Sequence, residues 1–190
     1  MDVSEALPVR RSQPELDVLV QLFYEDSAQL GEFAPLAFGS LPAPYGALLD
    51  HDEHMTVTVE RFHGCHVDVE VLDRQATPTH YSRKILLRRS TDGAVVQFGL
   101  VRLAKGALSP AVQAVIESER TPLGRALIEN GVLRNVLLVS LWKVEPGPEL
   151  QRLFGVGPEA TCYGRSAFIY CDGLPGVELL EIVTPAPAAA

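Results

Sequence analysis

The sequence predicts an α+β fold: a six-stranded antiparallel sheet with helices packed on one face. Apolar residues recur with a period of two over six separate stretches, and two of the links between them hold an Asp-Gly pair, a strong hairpin signal. Helical periods are grouped before and in the middle of these stretches rather than alternating with them, which favours an antiparallel sheet over a parallel one. The 190 residues are 47% hydrophobic and 21% charged, enough apolar matter for one domain with a substantial core.

Taken in order, PELDVLVQLFYEDSAQL places Leu16, Val18, Leu19, Leu22 and Phe23 at the spacing of an amphipathic helix. The Pro/Gly-rich stretch from Phe38 to Pro44 breaks the chain before a short helix ending near Leu49. From Cys65 the period becomes two: Val67, Val69 and Val71 alternate with His66, Asp68 and Glu70. YSRKILLRR and AVVQFGLVRL follow as strands, joined by Ser90-Thr91-Asp92-Gly93. Ser109-Pro110 fits an N-cap and a first-turn proline, and Thr121-Pro122 repeats the signal for a second helix that Gly131 would stop. VLRNVLLVSLWKV, TCYGRSAFIYC and VELLEIVTP complete the strands, the last two turned by Asp172-Gly173. A single domain over 14–185 is expected, between flexible ends at 1–13 and 186–190.

Charge and cysteine content bound the partners. Sixteen Lys+Arg against 24 Asp+Glu leave a net charge of -8, which repels polyanions and argues against nucleic-acid or anionic-membrane binding. A small-molecule partner is expected, for a monomer or weak dimer. Three cysteines, an odd number, are too sparse for a disulfide scaffold, and no stretch approaches about 18 uncharged apolar residues. A soluble, cytoplasmic protein is the expectation.

His51, His54, His63, Cys65 and His66 invite a zinc reading, but HDEH is not the HExxH motif and has no CxxC partner. Consecutive strand residues such as Cys65 and His66 would also point to opposite faces, so no metal is expected. No GxSxG, Walker loop or GxGxxG follows a strand, and no cofactor is expected. Three features remain. Arg83 lies in the strand YSRKILL, Glu181 lies between Leu180 and Ile182, and Thr121-Pro122-Leu123-Gly124 begins a helix. A helix start offers free N–H groups to an anion, an arginine adds a carboxylate clamp, and a carboxylate in an apolar strand suits proton transfer.

LLDHDEHMTVTVE, YSRKILL, TPLGR and GRSAFIYCDGLPGVELLEIVTP, in that order and from about Leu48 onward, resemble the chorismate pyruvate-lyase (4-hydroxybenzoate synthase) family and its chorismate lyase-like relatives. The resemblance implies the same six-stranded sheet, covered by helical flaps over a closed pocket. It also carries four residues over: Met55, Arg83, Leu123 and Glu181 occupy the family's ligand positions. The implied activity removes the enolpyruvyl group of chorismate to give 4-hydroxybenzoate and pyruvate, without a cofactor. In it Arg83 and the N–H groups of Met55 and Leu123 hold the ring carboxylate, and Glu181 is the general acid/base. Two alternatives stand beside this: a non-catalytic sensor domain for a small aromatic acid, since the same fold serves transcriptional regulators, or a related lyase giving another hydroxybenzoate. The chain departs from the family at Lys84, where an acid is usual, and at Leu100, which replaces a second arginine and leaves Arg102 two residues on. The first 45 residues or so match poorly.

Overall fold

The computed structural model describes residues 16–186. The flexible ends expected at 1–13 and 186–190 fall outside those residues, save Ala186. The elements run α1 (Leu16–Gln21), β1 (Gly31–Leu36), α2 (Tyr45–Leu49), α3 (Met55–His63), β2 (Val67–Ala76), β3 (His80–Arg89) and β4 (Val95–Ala104), then α4 (Pro110–Glu117), α5 (Leu123–Glu129), β5 (Arg134–Pro146), α6 (Pro148–Phe154), β6 (Cys162–Cys171) and β7 (Leu174–Val183). The strands form one antiparallel sheet in the order β1-β5-β6-β7-β4-β3-β2.

The α+β antiparallel class is as expected, with one strand more. β1 was concealed by Pro35, which removes a ladder N–H and suits an edge strand, the place β1 occupies beside β5. Both hairpins form where Asp-Gly stands. Asp172 and Gly173 have φ of 51° and 83°, the left-handed pair that a two-residue turn between twisted strands requires.

Helices occupy both faces of the sheet rather than one. α2, α3, α4 and α5 cover the first face, where Tyr81, Val101, Leu179, Ile85 and Leu141 lie in the core beneath them. On the other face α1 and α6 bury Leu19, Val20 and Leu150 against Leu86, Phe98, Leu100 and Leu180. Leu86, Phe98, Leu100 and Leu180 form an apolar strip on this face that needs that second cover. α1 is shorter than its pattern suggests: Val18 is exposed, while Leu22 and Phe23 pack from the turn that follows.

Two local signals read differently in three dimensions. Ser109 caps α4 by accepting from the N–H of Val112 at 3.4 Å, as its position predicts. Thr121 does not repeat the pattern, because Pro122 is itself the N-cap and α5 begins at Leu123. α3 carries Thr56-Val57-Thr58-Val59, a β-branched run of low helix propensity, yet it is helical and ends on Gly64 at φ 65°. Burial of Met55, Thr56, Thr58 and Val59 outweighs that propensity.

Candidate functional site

The register of the sheet places the chosen residues. One row of cross-strand neighbours runs Ile85, Gly99, Glu181, Arg165 over β3, β4, β7 and β6, and the adjacent row runs Arg83, Val101, Leu179, Ala167. Alternation puts both rows on the face under α3, α4 and α5. Above them the first turns of α3 and α5 meet. A Cβ on Gly124 would lie 3.0 Å from Thr56 Oγ1 and 3.2 Å from His54 Cβ, so glycine permits this close approach. The N-termini of two helices, at Met55 and Leu123, therefore converge over the sheet, and their leading N–H groups have no partner within their own helices.

Between these layers lies a cavity of about 30 Å³, enclosed by Met55, Leu123, Ile85, Gln97, Arg165 and Glu181 among others. It has room for one or two water molecules, not for a benzoate ring. Met55, Leu123 and Glu181 thus meet at one place. Arg83 shares the face but does not line the cavity, although its neighbours Ile85 and Val101 do. It is fully buried under α4, donates one long bond of 3.4 Å from Nη1 to the carbonyl of Ile116, and leaves Nε and Nη2 without partners. Burial pushes its pKa down, partly offset by Tyr81 and Glu119. The Glu119 carboxylate, however, is already engaged by Arg74 and by the Tyr81 hydroxyl at 3.1 Å.

Glu181 is occupied differently from the expectation. Its Oε2 accepts from Arg165 Nε at 2.8 Å, while Gln97 approaches Oε1 at 3.5 Å. Arg165, also fully buried, donates further to the carbonyls of His51 at 2.9 Å and Glu53 at 3.0 Å, tying the loop between α2 and α3 to the sheet. Arg165 was missed in the sequence although its signal was present: it is the one charged residue of TCYGRSAFIYC, with the parity that faces inward beside Glu181. Gly164 before it lets the strands approach, since a Cβ there would meet the Glu181 carbonyl at 2.7 Å.

The histidines and the departures from the family pattern settle elsewhere. His54 is the buried N-cap residue of α3, and burial pushes its imidazole down to about 4. His66 pairs with Glu60, which also holds Arg125. Lys84 points to the second face, toward Glu149 at 3.0 Å and over the ring of Tyr24. Leu100 lies in the core of that second face. Arg102 shares its parity and pairs with Glu178 at 3.4 Å, away from the cavity.

No family model matches the chain, and no curated protein matches it. Solved structures do resemble it. PhnF from Mycobacterium smegmatis superposes with a TM-score of 0.54 at 10% identity over 69% of this chain and 63% of PhnF. The effector domain of the same protein gives 0.52 at 11% identity over 73% of this chain and 96% of that domain. The chain has the chorismate lyase-like fold that these domains share. It matches less than two thirds of the whole PhnF chain but nearly all of its effector domain.

These neighbours correct the functional expectation. The solved structures that match are those of PhnF and its effector domain, so the lyase activity and the biosynthetic role attached to it do not stand. No helix among the described residues is long and apolar enough to cross a membrane.

Proposed function

We propose that this chain is a small-molecule sensor domain that binds an anionic ligand, a small aromatic acid, without transforming it. One observation carries the reading: Arg83 is a fully buried guanidinium with two nitrogens unpartnered. A buried charge without a counter-ion costs several kcal/mol, and an incoming anion would supply what the protein does not. The first-turn N–H groups of Met55 and Leu123 are further oriented donors, at the adjacent cavity that Arg83 itself does not line. Glu181 keeps Oε1 with only the long contact from Gln97, and becomes an acceptor for a hydroxyl of the ligand once α3 and α5 part from the sheet, since the cavity as it stands has no room for a ring. Effector domains pass such binding to a partner domain or subunit, and the loop that Arg165 holds is the element placed to report occupancy.

The test is binding, not turnover. Titrating 15N-labelled protein with 4-hydroxybenzoate should shift the amides of Met55, Thr56, Leu123 and Gly124, and Arg83→Gln should weaken the interaction at least about tenfold, the effect of losing one charge-assisted hydrogen bond. Absence of any shift up to about 10 mM, a free energy too small for a sensor, would refute the reading.

A further inference from the structure

Arg83 has a neighbour of its own charge. The register of β2 on β3 sets Arg74 directly opposite Arg83, so both side chains rise from the same face of the sheet, and Tyr81, two residues before Arg83, rises beside them. Like charges directly opposite one another are unfavourable unless an anion lies close to both. The end of α4 supplies one: Oε1 of Glu119 accepts from Arg74 Nη1 and from the Tyr81 hydroxyl, the latter at 3.1 Å. Arg83, by contrast, keeps Nε and Nη2 without partners.

Glu119 is held in place against its backbone preference. Its φ of 63° lies in the left-handed region that a glutamate seldom adopts, and such strain persists only where surrounding contacts compensate it. Its N–H donates to the Ile116 carbonyl at 3.2 Å, which also accepts from Arg83 Nη1. The end of α4 is thus tied to Arg83 through the backbone and to Arg74 and Tyr81 through the carboxylate. The Arg74 bond holds the Glu119 carboxyl below the usual carboxylate range, so the group is an anion at neutral pH. The rest of α4 is anchored separately, by Gln113 Nε2 donating to the carbonyls of Lys105 at 2.6 Å and Leu108 at 2.8 Å. Because β2 is an edge strand, the Arg74 side chain is 64% exposed, whereas Arg83 is fully buried. The cluster therefore opens to solvent at one end and closes at the other.

Resting on the sensor reading above, we infer that Arg74, Tyr81 and Arg83 form one carboxylate-binding cradle, and that Glu119 is a resident, displaceable carboxylate whose place the ligand's own carboxylate takes. An incoming acid meets Arg74 at the exposed end and takes the Tyr81 hydroxyl from Glu119. Once the strained residue swings out, the acid reaches the unpartnered nitrogens of Arg83. The Glu119 carboxylate is fixed to the backbone at the end of α4 and satisfies Arg74 and Tyr81 alone, whereas a free acid settles among all three donors. Arg74 and Tyr81 thereby join Arg83 as binding residues, and Glu119 sets the affinity by competition. The segment 118–122 links α4 to α5, so release of Glu119 also loosens α5 above the small cavity, where a ring otherwise has no room.

4-Hydroxybenzoate titrated into the full chain is the probe. Glu119→Gln keeps the size of the side chain without its charge and should tighten binding by about threefold, within what a partly exposed ion pair contributes. Glu119→Gly suits the left-handed φ and removes the competing acceptor outright, so it should fold as well as the parent and bind more tightly still. In the Glu119→Gly background, Arg74→Gln and Tyr81→Phe each take a donor from the ligand alone and should weaken binding by about threefold or more. Affinity unchanged or reduced in both Glu119 variants would overturn the cradle, while the parent's own shifts at Met55 and Leu123 would leave the sensor reading standing. No binding by the parent or by either Glu119 variant would overturn both.

Discussion

At the scale of single residues, the site is defined by two buried guanidiniums in unlike states. Arg165 is satisfied by Glu181 and two carbonyls, while Arg83 is not satisfied. Removing the carboxylate by Glu181→Gln leaves a second uncompensated charge under the helices and should cost about 3 kcal/mol in denaturant unfolding. The double change Glu181→Gln with Arg165→Met should recover much of it, and no recovery would show that the pair is not the origin of the loss. His54 is the second case. Its folded-state value near 4 lies below the usual 6.5, so the stability it contributes is present above about pH 6.5 and is lost as pH falls toward 4. His51, His63 and His80 are pushed down by burial too, so the comparison must be with His54→Asn, which removes the titrating ring from a position where His54 makes no side-chain cap bond. Its melting temperature should fall less steeply between pH 6.5 and 4 than that of the parent, and parallel profiles would remove His54 as a cause.

At the scale of elements, the closest constraint on the site is the approach of β6 to β7. Gly164→Ala would drive a methyl group against the Glu181 carbonyl at 2.7 Å, a backbone atom that cannot rotate aside. A loss of about 2 kcal/mol is expected, with broadening of the Glu181 and Arg165 resonances, and an unchanged unfolding midpoint would mean that the strands have slack there. Element-level signals in the sequence varied in strength for physical reasons. β2, β3, β4, β5, β6 and β7 were legible because each is a strand-like apolar run, alternating in β2 and bounded by an Asp-Gly turn in β3, β4, β6 and β7. α6 carried a first-turn Pro148 and a terminal Gly155 at φ 66°, local signals sufficient to place it, although it was not anticipated. α3 could not be read locally, since its Thr-Val run prefers a strand and is helical only by virtue of what it buries.

At the scale of the whole molecule, a net charge of -8 and a bound anion are compatible. The outer acids act through solvent and are screened within about 10 Å at ordinary ionic strength, while Arg83, Arg165 and the two helix N-termini act at contact distance inside. The net charge therefore says nothing against the ligand. Composition and periodicity were enough for the class of fold, the antiparallel sheet and most of its strands, because those depend on neighbours within a few residues. The motif blocks, by their resemblance, singled out Met55, Leu123 and Glu181, and the packing of α3 and α5 on the sheet brings the three around one cavity. What Glu181 does there was decided by Arg165, sixteen positions away along the chain and adjacent only across β6 and β7. Likewise the size of the cavity follows from how α3 and α5 settle on the sheet. Those are sums of non-local contacts that no window of sequence contains.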